Sequence, residues 1–365
     1  MKLNISRNDL FETLGEVLKI TASRSSIPIL AGVLIVANKE TIEFYGTDLE
    51  TSICIKNNGL VEEEGRVVVP GKIFSDIVRS LPDSSVLLET EGEMLGIRAQ
   101  QAHFTIRTLN ADEFSQFPEI EGVESATLPV SVIKDMVNKV SKVVSRDETR
   151  AVLTAILVTL AGETIKMVAT DGYRLAISEQ PAGKDIGSEI EVLVPGKVFN
   201  DVVNMVPSGE DIEITLDSNK IRFACKGMTL VTRRIEGNYP NYRQLIPAEF
   251  STSVTLVREE MIAAVKRAAL LALNNTALKM TVSGEDQALT LTASSQDYGQ
   301  AEDSLMAKIE GDDNFIAANP TYLLDGLTAA HSEFVTLEIV ESMKPGIIRS
   351  EEEGFTYLFM PVRSS

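Results

Sequence analysis

Apolar residues fall with two different periods along this chain, and the two periods take turns. Short runs such as "KLNIS" near the start, "SVLLETEGEMLGIRA" from Ser85 and "DIEITLDSNKIRFAC" from Asp211 alternate apolar with polar positions and are broken by turn residues, as antiparallel hairpins are. Between them lie stripes at helical spacing. Leu10, Leu14, Val17 and Leu18 form one, and Val132, Ile133, Met136, Val137, Val140, Val143 and Val144 a second. Met261, Ile262, Val265, Ala268, Ala269 and Leu270 form a third. Each stripe follows a short opening strand, "KLNIS", "ATLPV" or "SVTLV". Hairpins in place of strand-helix-strand crossovers predict α+β units, each with two helices on one face of mostly antiparallel sheet.

The pattern also repeats. "VVVPGKIFSDIVRSLP" (Val67 to Pro82) returns 125 positions later as "VLVPGKVFNDVVNMVP" (Val192 to Pro207), and "FIAANPTYLLDGLTAA" continues the register, with Asp325 following Asp201 by 124. A second landmark agrees: Asp48 in "FYGTDLETSI", Asp171 in "MVATDGYRLAIS" and Ser295 in "LTASSQDYG" stand at offsets of 123 and 124. Two landmarks with one period divide the chain into three units, 1–122, 123–248 and 249–365, with polar or proline-marked joins at "EIEGVESATL" and "LIPAEFSTSV". The second helix of each unit is expected to begin near Lys72, Lys197 and Thr321.

The repeated Gly-Lys invites comparison with a nucleotide phosphate loop, which needs G-x-x-x-x-G-K-[ST]. Here Gly65 lies one residue too far from Gly71, Ile73 follows Lys72, and the second copy has no upstream glycine. Pro and Gly instead break a strand and open a helix. His103 and His331 are far apart, no G-x-S-x-G or C-x-x-C occurs, and no catalytic constellation is visible. Cys54 and Cys225 are expected to be buried thiols, without a disulfide framework, and no cofactor or metal site is expected. The acidic runs Glu62 to Glu64 and Glu351 to Glu353 read as solvated loops or as divalent-ion contacts.

Composition sets the class. With 44% hydrophobic and 24% charged residues the chain reads as globular, and no apolar run approaches a membrane span, so a cytoplasmic address without membrane contact is expected. The net charge of -19 argues against a nucleic-acid-binding exterior. Its distribution is uneven: -9 over residues 1–124, 0 over 125–248 and -10 over 249–365, which leaves the middle third as the host for any DNA-facing surface.

"VATDGYRLAISE" (Val168 to Glu179), the two "VPGK" landmarks and the terminal "YLFMPVR" together resemble the bacterial DNA sliding clamp, the beta subunit of DNA polymerase III, over essentially the whole chain. The resemblance implies three clamp domains per chain and a head-to-tail homodimeric ring, with helices lining a hole through which duplex DNA passes. It implies a non-enzymatic processivity factor that tethers the replicative polymerase, the clamp loader and other replication and repair proteins through short apolar peptide motifs. Six similar domains would share one turn, and heterologous contacts that close make a ring.

The resemblance also assigns residues. A peptide pocket would use Thr170, Gly172, Tyr173, Arg174 and Leu175 from the landmark turn, Pro240 and Leu245, Asn319 and Tyr322, and Met343, Met360, Pro361, Val362 and Arg363. Aliphatic, Met and Tyr side chains suit an adaptable slot, with Arg and Asn to orient a peptide backbone. DNA would meet Arg24, Lys134, Lys142, Arg146 and Arg150, with Lys139 further round the helix. The dimer would join Phe104 and Ile106 to Leu270 and Leu271, with Lys72 and Arg98 or Arg107 opposite Asp297, Glu302 and Asp303. Tyr173, Gln244, Ala277 and the Ser364-Ser365 end depart from the family's pattern and bear on partner choice. Read without the family, the Asp171-Gly172 turn is a hairpin signal and the lysines an ordinary solvated helix face. Two other classes stay open at this point: a repeat-built enzyme with a site near Asp171 and Arg174, and an oligomeric scaffold unrelated to DNA.

Overall fold

The computed structural model describes residues 1–22, 26–39, 41–120, 124–183, 189–272, 277–351 and 354–363. Contacts gather these into two units, Met1–Ser131 with Asp201–Arg234, and Val132–Asn200 with Ile235–Ser365. Each unit holds two sheets.

In the first unit a five-stranded sheet runs in the order Leu60–Glu63, Lys2–Ser6, Ser85–Glu91, Met94–Ala99, Ala102–Arg107. An eight-stranded sheet runs Glu124–Pro129, Asp211–Leu216, Lys220–Cys225, Met228–Arg233, Thr51–Asn57, Ile42–Thr47, Gly32–Ala37, Gly65–Pro70. Its middle is a join between repeats, because Met228–Arg233 pairs antiparallel with Thr51–Asn57, Thr232 opposite Thr51.

The second unit repeats the plan. A nine-stranded sheet runs Ile190–Pro195, Ala155–Ala161, Thr164–Thr170, Arg174–Pro181, Phe355–Phe359, Gly346–Ser350, Phe334–Ile339, Thr252–Val257, Lys308–Gly311. Here Arg174–Pro181 pairs antiparallel with Phe355–Phe359, Leu175 opposite Leu358. A four-stranded sheet runs Gly299–Met306, Ala288–Ser295, Leu278–Ser283, Asn314–Ala318.

The helices follow the predicted stripes. They are α1 (Arg7–Ile20), α2 (Gly71–Ser80), α3 (Val130–Val140), α4 (Gly196–Met205), α5 (Arg258–Ala269) and α6 (Pro320–Ala329). Leu10, Leu14 and Val17 of α1 are fully buried, and α1 packs on α2. Met261, Ala264, Val265 and Ala268 of α5 are buried likewise, and α5 packs on α6. Glu259 and Glu260 open α5 while Lys266 and Arg267 close it, matching the helix dipole.

α2, α4 and α6 begin at Gly71, Gly196 and Pro320, one residue ahead of the expected positions. The glycines are packing devices. A Cβ on Gly71 would come within 2.5 Å of Leu18 and 3.0 Å of the Ala31 carbonyl, and one on Gly196 within 2.8 Å of Val144. Lys72 and Lys197 are exposed. α3 stops at Val140, followed by a 3-10 turn over Ser141–Val143, so Lys142 lies in that turn, off the helix on which it was expected, and Arg146 lies beyond it, nearby as expected. Cys54 is buried, and burial pushes its thiol up to about 11; Cys225 is only half-buried, against expectation. No helix among the described residues is long and apolar enough to cross a membrane.

Gly326 of α6 lies against the ring of Tyr357, which is fully buried; a Cβ there would stand 2.5 Å from the ring. Gly326→Ala gains about 1 kcal/mol of helix propensity but overpacks a rigid ring at about 1–3 kcal/mol. A net loss of stability is expected, read as a lower urea midpoint with an unchanged slope.

Candidate functional site

The second landmark turn is built by two side chains. Thr170 Oγ1 donates to the Arg174 carbonyl at 2.7 Å and accepts from Gly172 N at 3.1 Å. Asp171 Oδ1 accepts from Tyr173 N at 2.9 Å and from Arg174 N at 3.0 Å. Gly172, at φ 93, takes the left-handed position that such a turn needs.

The first landmark turn reproduces the set. Thr47 Oγ1 donates to the Thr51 carbonyl at 3.0 Å and accepts from Leu49 N at 3.0 Å, while Asp48 Oδ1 accepts from Glu50 N and Thr51 N at 3.0 and 2.7 Å. Thr and Asp at this landmark are therefore turn-building residues, and the turns differ in the side chains they display.

Arg174 carries the largest difference. Its Nε donates to Asp171 Oδ2 at 3.0 Å, Nη1 to Asp325 Oδ2 of α6, and Nη2 to the Lys142 carbonyl at 2.9 Å. The guanidinium also stacks on the Tyr322 ring, 4.5 Å from its centroid. Burial opposes its charge, yet the Tyr357 oxygen and the Asp325 and Asp171 carboxylates hold its pKa above the ordinary guanidinium value. Tyr357 Oη in turn donates to the Tyr322 carbonyl at 2.7 Å. One side chain thus ties together the landmark turn, the segment after α3, and α6.

Apolar packing closes the site from below. Leu157, Val168, Leu175, Leu193, Tyr242, Ile347 and Leu358 form a buried cluster, with Tyr239, Ile246 and Phe250 packed against it. Above it, Tyr173, Leu245, Met343, Met360 and Val362 remain exposed. Met360 N donates to the Tyr173 carbonyl at 2.8 Å and Val362 N to the Ala317 carbonyl at 2.8 Å, which fixes the chain end along the turn and beside Asn319. Asn319 Oδ1 caps α6 through Thr321 N at 2.8 Å. Pro240 is held to this assembly by Tyr242 N, which donates to its carbonyl at 2.7 Å. Met343 lies in the turn before the strand whose Gly346 pairs with Phe359, and Arg363 is exposed at the end of the described chain. These five large apolar side chains left in water are candidates for a binding surface.

This placement changes several readings. Arg174 and Asn319, expected to orient a peptide, are engaged internally. Thr170 and Leu175 are buried and support the surface from beneath. Asp325 and Tyr357 were missed as site residues, although the repeat register had singled out Asp325. Arg150, expected to face DNA, bonds Asp147 at 3.0 Å, and its Nη1 would stand 3.3 Å from a Cβ on Gly172, so it borders the turn.

Of the other cations, Lys134 is half-buried and Lys142 and Arg146 are exposed, without an ion-pair partner among the described residues. Lys139 is buried against Asp135 at 2.8 Å. Burial would raise the Asp135 carboxyl, but hydrogen bonds from Lys139, Gln180 and His331 hold it below the ordinary range. Arg24 lies outside the described residues.

Some of the interface candidates fall on edge strands and the others on helices, turns or an interior strand. Phe104 is exposed and Ile106 half-buried on Ala102–Arg107, the edge strand of the five-stranded sheet; Lys72 and Arg107 are exposed in the same unit, and Arg98 faces Glu89 at 3.6 Å. In the other unit Leu270 is exposed and Leu271 half-buried just past α5. Asp297 and Glu302 are exposed, and Asp303 bonds Arg267 at 2.6 Å on Gly299–Met306, the edge of the four-stranded sheet.

Repeated two-helix domains joined through continuous antiparallel sheet, with an apolar surface at a domain join, define a clamp-type protein. Models of the DNA polymerase III beta subunit match its N-terminal domain over residues 1–118, its central domain over 127–241 and its C-terminal domain over 243–363. The beta sliding clamp of Streptomyces coelicolor is 33% identical over the whole of both chains, and that of Bacillus subtilis 29% identical over the whole of both. The crystal structure of the Bacillus subtilis sliding clamp covers all of both chains at 28% identity with a TM-score of 0.95, and that of the Thermotoga maritima beta subunit does so at 28% and 0.93. The chain belongs to the DNA polymerase III beta subunit family, the beta sliding clamps. It is a processivity factor of DNA replication, and the family is non-catalytic, which removes the enzyme reading.

Arg174→Ala would leave Asp171 and Asp325 facing each other without their cation, at a cost of about 3–5 kcal/mol for a broken buried pair. Arg174→Lys should recover only part of this, since a single ammonium cannot make the three-way fork. Equal denaturation midpoints for Arg174→Lys and the unchanged chain would overturn the assignment.

Proposed function

We propose that this clamp works as a cytoplasmic homodimeric ring, closed head to tail by two edge strands, which encircles duplex DNA and holds polymerases by short apolar peptides. The observation that carries it is the rule governing the sheet joins. In both, the strand that follows a landmark turn pairs with the last strand of the next domain: Thr51–Asn57 with Met228–Arg233, and Arg174–Pro181 with Phe355–Phe359. The corresponding strand of the third domain is Gly299–Met306, and the last strand of the first domain is Ala102–Arg107. Both stand at sheet edges with one side unpaired. Edge strands are templates for another chain, and applying the rule once more pairs these two between protomers. Phe104 and Ile106 would then face the Leu270 and Leu271 region, with Lys72 opposite Asp297, Glu302 and Asp303.

Lys134, Lys142 and Arg146, with Arg150 and Arg24, are the proposed DNA contacts. A closed ring needs no tight grip, because topology supplies the retention. After loading by its loader, the protein should stay on circular DNA at salt concentrations that abolish electrostatic contact, and run off linear DNA with free ends. Sedimentation should give a dimer at micromolar concentration. Equal loss from circles and linear molecules, or a monomer at that concentration, would refute the ring.

The peptide pocket is proposed around Tyr173, Leu245, Met343, Met360 and Val362, with Gly172, Pro240, Tyr322, Pro361 and Arg363 at its margins and Thr170, Arg174, Leu175 and Asn319 as its frame. Truncating two exposed anchors by Met360→Ala with Leu245→Ala should weaken a polymerase-tail peptide about tenfold or more, while the dimer persists. Unchanged affinity in a titration with a labelled peptide would move the pocket elsewhere. Leu175→Ala is a poorer test, because the side chain is buried in the cluster below and its loss costs about 2–5 kcal/mol of stability.

A further inference from the structure

The first unit carries a groove made of the same parts as the proposed peptide pocket. Leu34, Tyr45, Thr47 and Ser52 form its floor, Phe114 and Phe117 one side, and Arg66 lies at its rim; it encloses about 230 Å³. This is below the roughly 300–1,000 Å³ of small-molecule sites and fits one or two side chains. Thr47 and Ser52 stand at the repeat positions of Thr170 and Leu175. The chain that leaves the first domain, "EFSQFPEI" from Glu113, matches "NYPNYRQL" from Asn238, with Phe114 and Phe117 on Tyr239 and Tyr242 and Ile120 on Leu245. Arg233 stands at the place of Met360, and its N donates to the Glu50 carbonyl at 3.2 Å as Met360 N does to Tyr173.

The two sites differ where a ligand would notice. Leu175 fills the space beneath the second site, whereas Ser52 leaves it open, its hydroxyl bonded to Thr47 Oγ1 at 2.9 Å. Phe117 packs edge-on to Tyr45, with centroids 5.7 Å apart, and walls the groove. Leu49, at the tip of the turn, takes φ 80 where the second turn has Gly172, and it is exposed. A leucine held in the left-handed region and left in water is the kind of strain that collects at binding sites.

The rims also differ in sign. Exposed carboxylates stand next to the lining residues along the chain: Asp48 follows Thr47, Asp112 and Glu113 lie between Ala111 and Phe114, and Glu50 and Glu119 are two residues from Ser52 and Phe117. Arg66 is bonded to Asp112, and Arg233 and Lys220 offset only part of the remainder. At the other site Arg243 and Arg363 are exposed, and Arg150 is paired with Asp147.

We propose that this groove is a second peptide-binding site, and that its occupant is a short segment with a leucine or aromatic anchor flanked by lysine or arginine. The inference rests on the reading of the second-unit surface as a peptide pocket, since both are built on the same turn and connecting segment. Charge complementarity selects the basic flank, and the space left by Ser52 takes the anchor.

The probe is a fluorescein-labelled decapeptide with Leu-Phe between lysines. It is titrated by anisotropy against the full chain and against the full chain carrying Met360→Ala with Leu245→Ala. Saturable binding of one peptide per chain is expected in both. Ser52→Leu, which restores the residue of the other site without changing charge, should weaken it at least tenfold, and Glu50→Lys with Glu119→Lys at least fivefold. A control peptide with Ser-Ser in place of Leu-Phe should bind at least tenfold more weakly.

Equal affinity for the control peptide, or no effect of Ser52→Leu, would show only attraction to an acidic surface and overturn the proposal. Binding lost on Met360→Ala with Leu245→Ala but kept in Ser52→Leu would place the peptide in the other pocket; the second site would then fail while the first stood. Should Ser52→Leu not fold, the exposed Glu50 and Glu119 substitutions together with the control peptide decide alone. Unchanged affinity in those arms is likewise fatal to it.

Discussion

Backbone groups on a sheet edge have to find partners, and in this chain the strand after each landmark turn finds its partner in the following domain. Thr51–Asn57 would be an edge without Met228–Arg233, and Arg174–Pro181 would be one without Phe355–Phe359. The domains are therefore spliced by main-chain hydrogen bonds, where a linker alone would leave them free to move apart. Among the described residues, the corresponding strand of the third domain and the closing strand of the first are each paired on one side only. An assembly that pairs them adds no new kind of contact; it uses the existing one a third time.

The turn that precedes the splice explains how a fixed frame hosts different surfaces. Thr and Asp satisfy its backbone donors in both well-formed copies, so the residues between them are released from structural duty. Leu49 and Glu50 occupy those positions in the first copy, Gly172 and Tyr173 in the second. The residue after them sets what the frame is tied to. Thr51 bonds Thr232 across the splice at 3.0 Å, a short link between two strands. Arg174 reaches further, to α6 and to the carbonyl after α3, and thereby fixes how the apolar surface above it meets the third domain.

Much of this was legible because it repeats. The period of the landmarks predicted the three domains, the apolar stripes located the first helix of each, and the repeated landmark located the second-helix starts to within a residue. The Pro-Gly-Lys was read correctly as a helix opening, and its glycine has a cause that spacing cannot reveal, the close approach of Leu18 or Val144. What the sequence hid were the relations between distant positions. Nothing local to Arg174 says that its fork is filled by Asp171, Asp325 and the Lys142 carbonyl, so it looked available to a ligand. Lys139 likewise looked like a surface cation at its spacing, while Asp135 lies four residues before it, one helical turn away, and draws it into a buried pair. The end of α3 at Val140 was missed because Val143 and Val144 continue the apolar stripe into the 3-10 turn.

The cations left over bear on how a protein of net charge -19 can live on DNA. With Lys139 engaged, the segment around α3 offers Lys134, Lys142 and Arg146, and each of these ammonium or guanidinium groups remains free among the described residues. If these three, with Arg150 and Arg24, are the DNA contacts as proposed, each chain neutralises few phosphates, and binding that depends on counterion release from so few is weak at physiological salt. For an enzyme that must find and hold one sequence this would be a defect. For a processivity factor it is a requirement, because each phosphate bond made must be broken at the next step along the duplex. On the same proposal, the acidic residues elsewhere in the chain would discourage DNA from settling away from these cations. In the proposed ring, affinity would instead go into backbone pairing at the sheet edges and apolar contacts at the partner surface, neither of which would slow movement along the duplex.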